Sequence, residues 1–404
     1  MLHDPALGGK LAAERLARVV AVAAAHADSV DREGRFPAEA MAALREEGLL
    51  GAMVPRALGG HGATLAEVAG QCQKIAGACA STGMIYAMHQ IQVACVLDHG
   101  LDQDWHHTFA RRIAEEQLLL ASITSEVGIG GDMRSSLCAV EVADGRFALT
   151  KQAPTVSYGA YADVFLVTAR AHADAPQSDQ VIVTIPRADG TLEVTGSWDA
   201  LGMRGTCSSG GSFTAHGHAD QILPVPFADI AADTMVPVSH LLWGGVWTGI
   251  AADAVSRARS FLRASARRQP GVVPPGAARL MQAAGLLDMM QGRIHILLGQ
   301  YDACHALGDA ERKIVSTEDA GWPGGMARAT AMNMLKHDVS EMCHRAVLQA
   351  LLVCGMAGYK NGTDFSVGRH LRDILSAQLM ISNDRIAGNT GALLLAQRSD
   401  LGTL

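Results

Sequence analysis

The chain has 404 residues, a formal net charge of −7 at neutral pH and a pI near 6.1. Hydrophobic residues make up 49% of it and aromatic residues only 4%, a composition typical of a tightly packed helical protein. This length predicts two or three domains with an ample core. The acidic balance argues against a nucleic-acid or anionic-membrane surface, and no apolar run reaches the about 20 residues of a membrane span.

The cysteines and the first residues bear on the cellular compartment. The eight cysteines show no CxxC spacing and lie mostly in apolar helical stretches, which is typical of buried free thiols in a reducing environment. The segment Met1–Pro5 lacks a basic region, so no secretory signal peptide is predicted. We therefore expect a cytoplasmic protein.

The first 120 residues read as helices. Apolar side chains recur at helical spacing from Lys10 to Asp31, and Phe36-Pro37 opens a second helix with proline in its first turn. The same period continues over residues 64–98 and 102–118. An N-terminal α-helical domain is therefore predicted for residues 1–120.

From Ala121 the period changes toward two, and then returns to the helical value. Strands are predicted at residues 147–150, 164–168 and 180–185, separated by turns of Gly, Asp and Pro. Helices are predicted at about 242–268, 276–308, 324–356 and 367–397. The expected fold is thus mainly α with a central β-domain (residues 121–232) and a C-terminal α-helical bundle (residues 233–404).

A strand that runs into glycines is the first candidate site. In Ala121–Asp132, Ser122 and Thr124 share one face of an extended segment, which then breaks into Gly128, Gly130 and Gly131. Such a turn lets backbone N–H groups approach a flat or anionic ligand closely. Because glycine-rich turns after strands are common, this segment taken alone is more often an ordinary loop.

Five motifs in this order resemble those of the acyl-CoA dehydrogenase superfamily, and the resemblance covers nearly the whole chain. They are Gly48–Gly62 (G-L-L-G-A-M-V-P-R-A-L-G-G-H-G), Ser125–Asp132 (S-E-V-G-I-G-G-D), Trp198–Thr206 (W-D-A-L-G-M-R-G-T), Gly355–Tyr359 (G-M-A-G-Y) and Arg369–Asp373 (R-H-L-R-D). The resemblance implies an N-terminal α-domain, a middle β-barrel or sandwich and a C-terminal four-helix bundle.

The resemblance also implies a cofactor. The family binds FAD non-covalently between the β-domain and the bundle, and a neighbouring subunit covers part of it. FAD rather than FMN, and a homodimer or homotetramer, are therefore expected. By position, the cofactor contacts are Thr124, Ser125, Gly130, Thr155, Ser157, Gly355, Gly358, Asn383 and Arg385.

Within that set, the resemblance matches Ser157 to the hydroxyl that bonds flavin N5. Thr155 and Ser157 are expected on one face of a second strand, Pro154–Gly159, where hydroxyls tune the electronics of a flavin. The alternative is the polar face of an ordinary antiparallel strand.

The chain departs from the family at the catalytic base. In the dehydrogenases a glutamate takes the α-proton of an acyl thioester, and its position, nine residues after Arg372, holds Ile381. Some members place the base at the start of the first C-terminal helix, where His240 is the titratable residue here. His89 occupies a position where flavin oxygenases of this fold carry a functional histidine; the alternative is a hydrogen-bonded helix histidine.

Three functions stay open on these grounds. The first is a flavin enzyme that oxygenates an acyl thioester, carried by CoA or an acyl-carrier protein, with O₂ as co-substrate. The second is an acyl-CoA dehydrogenase with a relocated base, His89 or His240, and an electron-transfer partner. The third is a non-catalytic flavin-binding scaffold. His216 and His218 share one face of a predicted strand, but the sequence offers no third ligand, so no metal site is predicted.

Overall fold

The computed structural model describes residues 5–306, 322 and 324–397. Backbone contacts divide the chain into two units, residues 1–239 and 240–404. The predicted mainly α fold with a central β-domain is confirmed, because the long strands all lie between two helical regions. Among the described residues, no helix is both long and apolar enough to cross a bilayer.

The first unit begins with helices α1 to α5. Their bounds are Pro5–Glu33 (α1), Ala38–Glu46 (α2), Leu65–Ala78 (α3), Ala80–Gly100 (α4) and Asp104–Glu115 (α5). Helix α4 is buried on nearly all sides, and α3 packs along it. The predicted continuous helix over 64–98 is wrong at one residue, because Cys79 is extended (φ −144°) and separates α3 from α4.

Seven strands follow in the same unit. Their bounds are Leu120–Ile123 (β1), Glu141–Ala143 (β2), Arg146–Ala153 (β3), Val164–Arg170 (β4), Gln180–Pro186 (β5), Gly190–Thr195 (β6) and Gly210–His218 (β7). Strands β1, β4 and β5 form one sheet, in which β1 and β4 are parallel, and the order β2-β3-β7-β6 forms an antiparallel second sheet. Phe165 and Phe213 meet between the sheets, with ring centroids 4.9 Å apart. The three predicted strands are confirmed.

One predicted strand is wrong. Residues 154–159 form a loop and turn rather than a strand, since β3 ends at Ala153. Proline at position 154 has no N–H for a ladder, and Tyr158 adopts a left-handed conformation (φ 42°). The Tyr158 hydroxyl donates to the Leu120 carbonyl at 2.8 Å, which fixes the turn against β1.

Helices complete both units. The first unit ends with α6 (Phe227–Ile230) and a π-helical turn, Ala231–Met235. The remaining helices are α7 (Val236–Arg268), α8 (Ala277–Ala306), α9 (Gly325–Cys354), α10 (Met356–Tyr359), α11 (Gly368–Ile374), α12 (Ser376–Leu379) and α13 (Asn383–Ala396). Helix α9 packs along α8 and α13.

The long C-terminal helices are confirmed in part. The predicted helix at 276–308 corresponds to α8, while residues 307–308 lie outside the described residues. The predicted helix at 367–397 is wrong as a single element, because it is divided into α11, α12 and α13. Ile381, between α12 and α13, has a φ of 47°, which an α-helix cannot accommodate. The domain boundaries at residues 120 and 232 stay a prediction.

Candidate functional site

Two loops of the first unit bring predicted hydroxyls together. Ser125 follows β1 and Thr155 follows β3, and the Ser125 hydroxyl donates to the Thr155 carbonyl at 2.7 Å. The two side-chain oxygens are 3.4 Å apart. The Val127 N–H also donates to the Gln152 carbonyl at 2.9 Å, so the loop after β1 is fastened to the end of β3. This pair is accessible, since Thr155 is exposed and Ser125 half-buried.

The third predicted hydroxyl, Ser157, begins a chain of hydroxyls that the sequence analysis missed. Its Oγ lies 2.8 Å from the Oγ of Ser208, which lies 2.8 Å from the Oγ1 of Thr206. Thr206 in turn donates to the Met203 carbonyl at 2.9 Å. We call Ser157, Ser208, Thr206 and the Met203 carbonyl the hydroxyl chain. In the sequence, the hydroxyl chain is indicated only by the segment T-C-S-S at residues 206–209, which begins at the last residue of the motif Trp198–Thr206.

Two residues with positive φ values lie along the buried part of the hydroxyl chain. Met203 (φ 50°) and Cys207 (φ 46°) both adopt the conformation that glycine prefers, and they bracket the short turn Arg204–Thr206. Beside this turn lies an open cleft of about 410 Å³, whose wall includes Trp198 and Tyr161 as well as Cys207. The indole N–H of Trp198, a residue of the cleft wall, donates to the Met203 carbonyl at 3.2 Å, so this wall residue is bonded to the end of the hydroxyl chain.

The glycine loop, residues 128–131, has the backbone expected of a ligand cradle. Gly128, Gly130 and Gly131 have φ values of 97°, 59° and 76°, which L-residues rarely adopt. A Cβ at Gly130 would meet no atom within 4 Å, so open space lies before it. Thr124, at the start of the loop region, is half-buried. Hydroxyls beside a glycine backbone with positive φ values fit the edge of a flat ring such as a flavin.

A buried ion pair supports the glycine loop. Glu126 accepts hydrogen bonds from the Ser136 hydroxyl at 2.7 Å and from the Cys138 N–H at 2.6 Å. Lys151 lies 3.5 Å from the same carboxylate and donates to the Thr168 carbonyl at 2.6 Å. Burial lowers the pKa of Lys151, and Glu126 opposes that shift. All Glu126 contacts are internal, so this carboxylate is structural and is no substitute for the missing base.

His89 is a fully buried histidine with both ring nitrogens engaged. Its Nε2–H donates to the Leu50 carbonyl at 2.8 Å, and its Nδ1 accepts from the Leu120 N–H at 3.0 Å. Burial lowers the pKa of His89 to about 4. A proton on Nδ1 would face the Leu120 N–H, so these contacts favour the alternative of a hydrogen-bonded helix histidine over a catalytic one.

His240 lies in the second unit, at the start of α7. Its Nδ1–H donates to the Met332 carbonyl at 3.0 Å, whereas its buried Nε2 has no hydrogen-bond partner within the described part of the chain. Burial lowers the pKa of His240 to about 4. A free lone pair on a group with so low a pKa is a weak base at neutral pH.

The remaining predicted residues belong to the second unit. Gly355 is exposed with a φ of 54°, and a Cβ on buried Gly358 would lie 2.6 Å from that of Cys354. Asn383 is buried, and its Oδ1 accepts from Lys336 at 2.6 Å. Its amide also donates to Ser340 and Glu341, each at 3.0 Å. Packing within this unit therefore accounts for Gly358 and Asn383. Arg385 is exposed.

Ile381, at the predicted position of the base, has a structural partner. The Lys336 ammonium donates to its carbonyl at 3.3 Å, and the Ile381 residue is 38% exposed. Burial lowers the pKa of Lys336 to about 8. No carboxylate occupies this position, in agreement with the sequence.

Known proteins resemble the chain in sequence and in fold. Residues 11–117 match the acyl-CoA dehydrogenase N-terminal domain family. L-evernosamine nitrososynthase from a Micromonospora species is 28% identical over 92% of this chain and 86% of its own length. Dibenzothiophene monooxygenase from Rhodococcus qingshengii is 26% identical over 59% of this chain and 58% of its own length.

A solved structure shows the same fold. FMN-bound TdsC from Paenibacillus sp. A11-2 matches with a TM-score of 0.80 and 21% identity, over 96% of this chain and 98% of that chain. The fold is therefore the acyl-CoA dehydrogenase-like fold that the motifs predicted.

Proposed function

We propose that this chain is a divergent oxidoreductase of the acyl-CoA dehydrogenase superfamily and that it works as a flavin-dependent monooxygenase. The observation that carries the proposal is Ile381 at the position of the family base. Removal of an α-proton without a positioned base forfeits the about 10²–10⁴-fold that general base catalysis supplies. His89 and His240 are poor replacements, because burial lowers both pKa values to about 4.

The proposed substrate is a nucleophile with its own lone pair, an amine nitrogen or a thioether-type sulfur. Such an atom attacks an electrophilic oxygen donor directly, so the enzyme needs no carboxylate to generate a carbanion. The names of the relatives, an L-evernosamine nitrososynthase and a dibenzothiophene monooxygenase, support these two classes. The acyl thioester expected from the resemblance is the competing substrate class.

The residues that would hold the flavin are those of the first unit. Ser125 and Thr155 would bind its polar edge, Ser157 would face N5, and the glycine loop would leave room for the ring. When bound, a flavin supplies two-electron redox chemistry and activation of O₂. FMN is proposed as the form used, since packing explains Gly358 and Asn383 without an adenosine, and TdsC binds FMN. The homodimer or homotetramer stays a prediction, and sedimentation equilibrium would measure the oligomeric state.

The test separates oxygenation from desaturation. The protein is loaded with FMN, reduced anaerobically with dithionite, and exposed to isotopically labelled O₂ with an amino-sugar nucleotide, an aryl thioether or an acyl-CoA. We expect one labelled oxygen atom in the amine or thioether product, detected by mass spectrometry. Ser157→Ala is expected to bind FMN about tenfold more weakly, whereas Thr214→Ala, an exposed hydroxyl on β7, serves as the matched control.

Two outcomes would contradict this proposal. Anaerobic bleaching of the oxidised flavin by an acyl-CoA would establish a dehydrogenase and require a relocated base. Failure to bind either FMN or FAD would exclude a flavin enzyme, whereas flavin binding without turnover of any of the three substrates would leave the flavin-binding scaffold.

A further inference from the structure

The hydroxyl chain ends at a carbonyl that accepts several hydrogen bonds. Ser208 and Thr206 are 5% and 3% exposed, so each of their hydroxyl hydrogens needs an acceptor inside the protein. The chain ends at the Met203 carbonyl, which also accepts from the Thr206 N–H at 3.1 Å and from the Trp198 indole at 3.2 Å. This carbonyl is therefore satisfied with or without the Thr206 hydroxyl.

Counting hydrogens gives two complete arrangements, because each hydroxyl donates once and accepts through two lone pairs. In the outward arrangement Thr206 donates to Ser208, Ser208 donates to Ser157, and the Ser157 hydrogen points away from the chain. In the inward arrangement Ser157 donates to Ser208, Ser208 to Thr206, and Thr206 to the Met203 carbonyl. The two 2.8 Å contacts, Ser157 with Ser208 and Ser208 with Thr206, serve both arrangements. The 2.9 Å contact of the Thr206 hydroxyl with the Met203 carbonyl holds a hydrogen only in the inward arrangement.

The free end of the chain consequently presents either a donor or an acceptor. Oxidised flavin has a lone pair at N5, whereas reduced flavin carries a hydrogen there. We propose that Ser208 and Thr206 are positioning residues that let Ser157 donate to N5 of the oxidised flavin and accept from N5–H of the reduced flavin. Only rotations about C–O bonds are involved, and no proton leaves any hydroxyl. The inference rests on the proposed function, which places a flavin at Ser157.

Removing one member affects the two arrangements unequally. Without the Thr206 hydroxyl, the inward arrangement leaves the Ser208 hydrogen buried without an acceptor, while the outward arrangement keeps every hydrogen bonded. Without the Ser208 hydroxyl, the inward arrangement leaves the Ser157 hydrogen without an acceptor. In the outward arrangement Ser157 still donates away from the chain, and Thr206 donates to the Met203 carbonyl instead. Both changes should therefore weaken the binding of reduced flavin selectively.

The experiment measures dissociation constants of the full chain for oxidised and dithionite-reduced FMN, by anaerobic fluorescence titration. We expect Thr206→Val and Ser208→Ala to weaken the reduced complex about tenfold while the oxidised complex changes less than about twofold. The midpoint potential of the bound flavin should fall by about 30 mV, the two-electron equivalent of a tenfold ratio. Thr206→Ser keeps the hydroxyl and should keep the wild-type ratio, and Thr214→Val on β7 is the matched control.

Equal weakening of both redox forms would show a merely structural role for Thr206 and Ser208 and would overturn the proposal. So would an unchanged potential in Ser208→Ala, which carries the test alone if Thr206→Val fails to fold. Wild-type protein that binds FMN in neither redox state would overturn the proposed function itself, and the hydroxyl-chain proposal with it. Binding with an unshifted ratio in both variants would overturn the hydroxyl-chain proposal alone.

Discussion

The Lys151 ammonium lies 3.5 Å from the Glu126 carboxylate, and the two side chains are 0% and 5% exposed. Glu126 is the residue after Ser125 and two residues before the glycine loop, while Lys151 lies on β3, just ahead of Thr155. This ion pair thus joins the bases of the two loops whose hydroxyls are proposed to face the flavin. Its own polar atoms are directed into the protein, where Thr168 and Ser136 bind them.

Glu126→Gln should destabilise the protein strongly. The change removes the negative charge and leaves the Lys151 ammonium buried without a counterion, for which losses of about 3–5 kcal/mol in the free energy of unfolding are typical. Urea denaturation followed by circular dichroism measures it. Glu141→Gln, on exposed β2, is the control and should change stability by less than about 0.5 kcal/mol. A loss below about 1 kcal/mol in Glu126→Gln would mean that the pair contributes little.

His89 should make the protein sensitive to mild acid. Burial lowers the pKa of His89 in the folded protein from the ordinary 6.5 to about 4, so below pH 6.5 the unfolded chain binds a proton that the folded protein excludes. The contribution of His89 to the free energy of unfolding is therefore fully present above pH 6.5. It falls by about 3 kcal/mol when the pH is lowered to 4.

Comparison of wild type with His89→Gln, at pH 7 and at pH 4.5, isolates this contribution. The variant should lose stability at pH 7, because Leu50 and Leu120 lose their partner, and should show a shallower decline toward acid. His107→Gln on the exposed face of α5 is the control. An activity profile that titrates near neutrality and vanishes in His89→Gln would instead support the catalytic role.

Substitution by alanine should have opposite effects at Gly60, in the first motif, and at Gly70, in α3. A Cβ at Gly60 would lie 2.1 Å from the Val54 carbonyl oxygen, which is backbone and cannot move aside easily. Gly60→Ala should therefore lower the free energy of unfolding by about 3 kcal/mol. Gly70, within α3, has no atom within 4 Å of such a Cβ, so Gly70→Ala should raise it by about 0.5–1 kcal/mol. Thermal unfolding of the two variants provides the comparison, and equal shifts would contradict it.

Lys336 should give the second unit an alkaline dependence. Burial lowers its folded pKa from 10.5 to about 8, so between these values the unfolded chain binds the proton and the folded protein has released it. The contribution of Lys336 to the free energy of unfolding therefore rises by about 3 kcal/mol from pH 8 to pH 10.5. The difference between wild type and Lys336→Met, measured by urea denaturation at pH 7.5 and pH 10, should grow with pH. A constant difference would show that Lys336 titrates normally.

Local patterns predicted the elements, and non-local contacts decided the site. The run at 147–150 became β3, in which buried and exposed residues alternate, and the apolar run at 180–185 became β5, which is buried along most of its length. No proline marks the break at Cys79, and the nearby Gly77 lies within α3, so the sequence pattern did not predict the break. Ser157 was found through its motif, but Ser208 is 51 residues away, and only the fold reveals that their hydroxyls meet. Glu126 was identified only as part of a motif. Its burial beside Lys151 could not be predicted either, because the two residues are also far apart in the sequence.

The turn that ends the hydroxyl chain also contains a thiol with a practical use. Seven of the eight cysteines are buried, whereas Cys207, between Thr206 and Ser208, is partly exposed and lines the open cleft. Burial raises the pKa of this thiol, so alkylation requires mildly alkaline buffer. A maleimide fluorophore should therefore label the native protein at one position, without engineered cysteines. The reporter would sit beside the residues that are proposed to respond to the redox state of the flavin.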